Sequence, residues 1–545
     1  MSNYQKLSEE RKQQQKVESV PGWMTTAGYQ LFKEKYQWAE SYCDQLQAIA
    51  HTLARHTEDP PYWRDAFFEA MWMGWLSPST PILANCGTDR GLIVSCAGQY
   101  VEDSIDGFYT ARREAALLTK YGFGTSAYLG KIRGRGAAIT SNGKASGILP
   151  VLKGFVQDSR EVSQGGVRRG SFAGYIPIDH PDFYEIVSHL EKEPDDLNIG
   201  WNVSDDFIDA LEKGNAEART RFARTLKAKM LTGKGYFWFI DKARRALPKR
   251  YKDDGLQHYA SNLCSEILLP SYTDLTYTCV LASLNLAKWN EWKDTNLVRV
   301  ATKFLDCVCS EFLDKAKVMP GMENAVRFTE KYRAIGLGVM GYHTYLQDNM
   351  IPFGSLEAHM WNIEVFKHIR AEAEDESKGR NASLIAVAPT KSTALIMGGI
   401  SEGINPDPAM TFTQSTAGGE MDRINPALLK LMKAKGIFNK QTVQSLIDKF
   451  GSVQHVDWLT DQEKAVFKTA FEINQEDILR VASARAPYID QWQSLNLFFG
   501  AGTDPKRVAE VHRKAFEDPN ILGLYYVYSS SNIAASKDDC EACAS

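Results

Sequence analysis

Asn262-Leu263-Cys264-Ser265-Glu266 sets an amide, a thiol and a carboxylate at every second position of five residues. In an extended strand or strand-like loop, residues i, i+2 and i+4 point to one side. The spacing therefore predicts three functional groups facing one small volume. A thiol there serves as a hydrogen-atom carrier or nucleophile, a carboxylate as a base, and an amide as a donor that orients a hydroxyl. Taken alone, the pentapeptide also reads as a strand end with a buried, inert cysteine. The sequence on either side decides between the two.

Outward from it, short apolar runs alternate with glycine-rich turns and longer helical patterns. GLIVSCAGQYV (91–101), GTSAYLGKI (124–132), SFAGYIPI (171–178), YFWFIDKA (236–243) and NASLIAVAPT (381–390) are such runs. Strands alternating with helices over several hundred residues predict an α/β domain, with a barrel as one form of it. Residues 1–75 read as a helical segment, because apolar residues recur at helical spacing through YQLFKEKYQWAESYCDQLQAIAHTLARH. Two prolines in Ser77-Pro78-Ser79-Thr80-Pro81 break that pattern, so the α/β domain is expected over 76–528. The segment 529–545 is small and polar and is expected to be disordered.

Composition excludes several classes. Hydrophobic content of 44% and charged content of 24% are ordinary for a globular chain. A net charge of −4 with no long basic run gives no reason to expect a nucleic-acid or membrane partner. No apolar run approaches the roughly 20 residues that span a bilayer. The polar N-terminus lacks the apolar middle of a secretion signal, so a cytoplasmic location is expected. In a reducing cytosol the nine cysteines are structural, metal-binding or redox-active, not a disulfide scaffold. Cys540 and Cys543 form one CxxC pair, a poor zinc site without further ligands and a better mobile dithiol. No metal site is expected.

Five features stand in one order along the chain. Ser95-Cys96 follows the SPSTP segment, and Asn262–Glu266 comes next. Cys279 then opens Cys279-Val280-Leu281-Ala282-Ser283-Leu284-Asn285-Leu286. Pro389-Thr390-Lys391-Ser392-Thr393 leads into Gly403-Ile404-Asn405-Pro406. Tyr525-Tyr526 precedes the terminal CxxC. Together they resemble the large, catalytic subunit of ribonucleotide reductase, from about Leu76 to Ser545. The resemblance implies a ten-stranded α/β barrel of two five-stranded halves with Cys264 on a finger loop inside it. It implies reduction of ribonucleoside diphosphates, with triphosphates the open alternative. Cys264 would become a thiyl radical that abstracts the ribose 3′ hydrogen, Glu266 would take the 3′-hydroxyl proton, and Asn262 would bond the ribose hydroxyls. Cys96 and Cys279 would supply two electrons, and Cys540-Cys543 would re-reduce them, served by a thioredoxin or glutaredoxin.

Thr80, Ser95 and the run Pro389, Thr390, Lys391, Ser392, Thr393 would hold the diphosphate. A helix starting after Pro389 makes an anion site or is an ordinary cap. Lys391 departs from the small or acidic residue expected there. Asp103, Ser104 and Arg133, with Gln164 and Arg168 from Ser163-Gln164-Gly165-Gly166-Val167-Arg168, resemble the site where a dNTP or ATP effector with Mg2+ tunes substrate choice. Cys96 comes too early in the chain for the family's N-terminal ATP-sensing domain, so an on–off switch of that kind is not expected.

The class depends on where the radical arises. Tyr526 and Tyr525 would relay it to Cys264 from a metal-containing small (β) subunit, as in class I, and a homodimer of this chain is implied. Adenosylcobalamin generating the radical in place is the alternative. An inactive, nucleotide-binding regulatory relative is a further one.

Overall fold

The computed structural model describes residues 3–140, 142–162, 170–416 and 419–529. Its strands are β1 (Leu76–Pro78), β2 (Cys96–Tyr100), β3 (Gly124–Tyr128), β4 (Phe172–Pro177), β5 (Ile199–Val203), β6 (Tyr236–Phe239), β7 (Tyr277–Cys279) and β8 (Leu281–Asn285). They continue with β9 (Gly336–Met340), β10 (Thr411–Thr416), β11 (Gly419–Ile424), β12 (Leu497–Phe499), β13 (Gly523–Leu524) and β14 (Val527–Ser529).

β2 to β6 pair in sequence order, all parallel. Helices Ile105–Lys120, Ile148–Glu161, Phe183–Lys192 and Ala216–Thr232 make the crossovers that parallel pairing requires. The second half is also parallel within itself. β8 pairs with β9, and bridges Leu337–Ile385 and Val387–Gln493 carry the pairing to the run that enters β12, which pairs with β14. Two antiparallel seams join the halves: β2 with β7, and β6 with β13. β7 runs on into β8 past Val280, and β13 into β14 past Tyr525-Tyr526, so the ring closes with ten strand positions in two sets of five. This is the expected barrel. Nearly every residue of the barrel strands is buried, as a sheet covered by helices outside and side chains inside demands.

The chain before β1 is helical, as expected. Tyr42–Ala54 starts at the Ser41 cap and Pro60–Trp72 at the Asp59 cap. Both pack on the barrel helix Leu297–Ala316: the Phe67 and Phe304 rings meet edge to face at 5.4 Å, and Glu311 accepts from His56 at 2.9 Å. Their apolar faces join the barrel's own core. A smaller core around Met410, Leu428, Met432 and Leu446 underlies the β10–β11 hairpin.

Candidate active site

Between β6 and β7 the chain leaves the wall and runs through the barrel interior. A loop buried this way must find partners for its backbone groups. Both halves supply them. From the first half, Ser126 Oγ donates to the Ser261 carbonyl (2.9 Å), Tyr175 Oη to the Asn262 carbonyl (2.6 Å) and Asn202 Nδ2 to the Tyr259 carbonyl (2.7 Å). From the second, Ser494 Oγ donates to the Cys264 carbonyl (2.7 Å) and the Trp492 amide to the Glu266 carbonyl (2.8 Å).

The extended reading of Asn262–Glu266 is corrected here. The loop turns back at its tip: Ser265 has φ 59°, and its amide donates to the Asn262 carbonyl at 3.3 Å. Left-handed backbone at a non-glycine residue costs ~1–3 kcal/mol and persists only where its surroundings over-determine it. Tyr175 does so. Its single proton goes to the Asn262 carbonyl, so Ser265 Oγ donates to the Tyr175 oxygen at 3.0 Å. Period-two alternation governs paired strands, and this loop pairs with none.

The turn still brings the amide and the carboxylate together. Asn262 Oδ1 accepts from the Glu266 amide (3.1 Å), while its Nδ2 donates to Glu266 Oε1 (2.8 Å) and reaches Cys96 Sγ at 3.8 Å. Cys96 stands directly opposite Cys279 across the β2–β7 seam. Residues so paired have Cα atoms ~4.5–5.5 Å apart, inside the range a disulfide spans. No disulfide joins them, and they and Cys264 are buried. Burial, followed by the neighbouring Cys96 sulfur, pushes the Glu266 carboxyl up to about 8 against the Asn262 and Ser494 hydrogen bonds. Burial and Cys96 likewise push the Cys279 thiol well above its ordinary range.

Gly98 shows why the seam closes so tightly. It faces Tyr277, whose ring fills the space where a Cβ would sit. Tyr277 Oη in turn donates to Ser126 Oγ at 3.0 Å, the hydroxyl that holds Ser261.

The segment after Pro389 joins the same centre. Thr390 Oγ1 accepts from the Gly403 amide (2.8 Å), and Asn405 Nδ2 donates to the Ser494 carbonyl (3.0 Å). A six-residue helix, Lys391–Ile396, does begin after Pro389, with Thr393 buried, Ser392 half-buried and Lys391 facing solvent. Thr80 is buried with no hydrogen-bond partner for its Oγ1 among the described residues, as is the hydroxyl of Ser79. Ser95 is buried beside Cys96, its amide donating to the Cys279 carbonyl at 3.2 Å.

Tyr525 and Tyr526 lie with ring centroids 4.1 Å apart, and the buried Tyr236 ring is 4.8 Å and 5.5 Å from them. The Tyr236 hydroxyl donates to that of Tyr526 at 3.4 Å. Tyr525 is buried and Tyr526 half-buried, so the pair runs from the interior towards the surface. At the inner end the Tyr525 amide donates to the Leu495 carbonyl at 2.8 Å, one residue from Ser494. The buried Lys229 ammonium donates to the Tyr525 and Gly235 carbonyls, both at 2.9 Å, and burial alone pushes it down to about 7.

Of the remaining expected positions, Arg133 Nε donates to Asp103 Oδ2 at 2.5 Å, and Ser104 caps helix Ile105–Lys120 through the Gly107 amide. Gln164, Arg168, Cys540 and Cys543 lie outside the described residues. Ser126, Tyr175, Tyr236, Tyr277 and Ser494 were not anticipated. Each is one hydroxyl among ordinary strand or loop residues, with no spacing to mark it.

The comparisons agree with this architecture. Residues 94–220, 213–379 and 375–527 match the ribonucleotide reductase barrel domain, and residues 23–91 its all-alpha domain. A Frog virus 3 (isolate Goorha) protein described as a ribonucleoside-diphosphate reductase large subunit is 34% identical over 525 residues, 89% of this chain and 91% of that one. A vitamin B12-dependent ribonucleoside-diphosphate reductase of Mycobacterium tuberculosis (strain CDC 1551 / Oshkosh) is 28% identical, over 85% of this chain and 72% of that one. The α subunit of the Actinobacillus ureae class Id ribonucleotide reductase superposes with a TM-score of 0.86 at 36% identity, over 94% of this chain and 99% of that one. Among the described residues no helix is long and apolar enough to cross a membrane. The chain belongs to the ribonucleotide reductase family as a large subunit, and is an oxidoreductase of deoxyribonucleotide synthesis.

Proposed function

We propose that the chain reduces ribonucleoside diphosphates to 2′-deoxyribonucleoside diphosphates through a transient thiyl radical on Cys264. The thiyl removes the 3′ hydrogen atom of the ribose, and ionised Glu266 accepts the 3′-hydroxyl proton while Asn262 bonds the ribose hydroxyls. The 2′-hydroxyl leaves as water. Cys96 and Cys279 give two electrons and two protons and become a disulfide, and Cys264 returns the hydrogen atom to C3′. The observation that carries this reading is the single amide of Asn262. It touches both the Glu266 carboxyl and the Cys96 sulfur, whose strand partner is Cys279.

Thr80 and Ser95, with the loop Pro389, Thr390, Ser392 and Thr393, would take the diphosphate. The unsatisfied Thr80 hydroxyl supports this, and Lys391 would add only long-range charge from the solvent side. Asp103, Ser104 and Arg133, with Gln164 and Arg168, would receive a deoxynucleotide effector once the Asp103–Arg133 pair opens. The dithiol Cys540–Cys543 would return the Cys96–Cys279 disulfide to thiols, then be reduced itself by a thioredoxin or glutaredoxin.

The oxidising equivalent is assigned to a metal-containing small subunit, passing Tyr526, Tyr525 and Cys264 in turn. The two adjacent tyrosine rings, with centroids 4.1 Å apart, support that path. The cobalamin reading keeps a place because a B12-dependent relative matches most of the chain. Both are tested with purified chain, dithiothreitol and a ribonucleoside diphosphate, with either a candidate small subunit or adenosylcobalamin added. Deoxynucleotide should form only with the small subunit, and Cys264→Ser and Tyr525→Phe should each abolish it. Turnover by Cys264→Ser would remove the thiyl assignment. Cobalamin-dependent turnover that survives Tyr525→Phe would replace the relay.

A further inference from the structure

Ser494 is where the loop, the carboxyl and the tyrosine strand meet. Its Oγ lies 2.7 Å from the Cys264 carbonyl and 3.1 Å from Glu266 Oε2. A serine hydroxyl has one proton, so it cannot donate to both acceptors at once. Its backbone cannot swing to compensate. The amide donates to the Val387 carbonyl at 2.9 Å, and the carbonyl accepts from Asn405 Nδ2 at 3.0 Å. The other carboxyl oxygen of Glu266 is held by Asn262.

We propose that Ser494 is a positioning residue that couples the proton on Glu266 to the tether on Cys264. With Glu266 protonated, the carboxyl donates to Ser494 Oγ and Ser494 donates onward to the Cys264 carbonyl, so the loop is tied at its tip. With Glu266 ionised, the carboxylate is the stronger acceptor. The hydroxyl turns to Oε2 and the Cys264 carbonyl loses its donor. The state in which Glu266 is a competent base is then the state in which the Cys264 turn is least constrained. The inference rests on the catalytic reading of Cys264 and Glu266 given above, but the coupling itself exists in the resting protein.

The titratable groups around this carboxyl are thiols and phenols. Cys96 and Cys279 face it from the β2–β7 seam and Tyr175 from β4. Burial pushes the Cys279 thiol and the Tyr175 phenol upward, away from the range in which Glu266 titrates. A shift in the Glu266 midpoint on Ser494→Ala that Ser494→Thr reverses is therefore assignable to the hydroxyl.

The test is an infrared titration of the protonated carboxyl in the full chain without substrate, the band being assigned by its loss in Glu266→Gln. Ser494→Ala removes a donor to the ionised form and should raise the midpoint by about half to one pH unit. Ser494→Thr, which keeps the hydroxyl, should restore it. Ser494→Cys, a weaker donor, should give an intermediate shift and serves if the alanine variant does not fold. In turnover, the ascending limb of kcat/KM should move by the same amount. A purely structural role would lower kcat and leave the limb in place. An unmoved infrared midpoint in a folded Ser494→Ala or Ser494→Cys chain overturns the coupling. Activity in Cys264→Ser overturns the catalytic reading and leaves the infrared result standing.

Discussion

Two buried carboxyls in this molecule each sit beside two buried cysteines, and they are electrostatic opposites. Glu266 lies with Cys96 and Cys279, and Asp306 with Cys307 and Cys309. At Asp306 burial pushes the carboxyl up, but Arg333 (2.7 Å) and Arg380 (2.9 Å) outweigh it and hold the group below its ordinary value. At Glu266 only neutral donors, Asn262 and Ser494, oppose burial, and the carboxyl rises to about 8. The Glu266 cluster can exchange a proton near neutrality, and the Asp306 carboxyl holds its proton less readily than an ordinary one. The thiols differ as well. Cys307 and Cys309 are two apart on helix Leu297–Ala316 and so point to opposite sides of it. Cys96 and Cys279 come from distant parts of the chain and face each other. Burial by itself confers no reactivity: it pushes Cys307 and Cys309 up to about 12 and makes them inert filling.

Cysteine replacement is the strongest way to break this comparison. Cys279→Ser should lower multiple-turnover activity by roughly a thousandfold or more, because the two-electron step loses half its dithiol. Cys307→Ser should leave it within about twofold. A mild thiol oxidant followed by peptide mass spectrometry should find a Cys96–Cys279 disulfide that dithiothreitol reverses, and none joining Cys307 to Cys309. Equal losses in both variants would show that the strand seam is not the redox pair.

Next in size is the pH dependence of stability, which should carry opposite signs at the two carboxyls. The Glu266 value is raised on folding, so the folded state keeps the proton that the unfolded chain releases. Its burial costs nothing below the ordinary carboxyl range. The cost grows as pH rises from there towards 8, reaching on the order of 5 kcal/mol by pH 9. Glu266→Gln should thus gain stability relative to the parent on the alkaline side only, read as a difference in denaturant midpoints. Asp306 is held low, so its contribution is present above the ordinary carboxyl range and is lost as acid protonates it. Asp306→Asn should cost about 3 kcal/mol at neutral pH, since it strands the half-buried Arg333 guanidinium. Turnover per folded molecule should not change.

The two clusters were not equally legible. Asn262 and Glu266 could be grouped from five residues, although the turn at Ser265 that joins them differs from the extended strand or strand-like loop that the spacing suggests. Cys96 opposite Cys279 came from the family likeness, because the order of strands around a barrel leaves no mark in spacing. The helix-and-strand alternation predicted an α/β domain, since buried parallel strands read as unbroken apolar runs, and the ten-stranded barrel came from the family likeness. Ser494, Tyr175 and Ser126 stayed hidden. Each acts through one hydroxyl from a different strand, and only closure of the ring brings them to one loop. The Asp306 cluster was invisible for the same reason: Arg333 and Arg380 reach it from separate elements.

The smallest effect should come from Cys309, and it sharpens the contrast by what it leaves untouched. Its thiol is fully buried on a helix covered on nearly all sides, by the Pro60–Trp72 helix at Phe67 among others. Cys309→Ala removes one sulfur and leaves a void too small for water, a loss of about 1 kcal/mol. Alanine's better helix propensity offsets part of it by a few tenths of a kcal/mol. The denaturant midpoint should fall slightly while the acid limb set by Asp306 keeps its place, because the arginine pairs and not the thiol hold that carboxyl down. If Cys309→Ala moved the acid limb, the thiol would be part of the electrostatic cluster after all. The two carboxyl–cysteine sites would then differ in degree and not in kind.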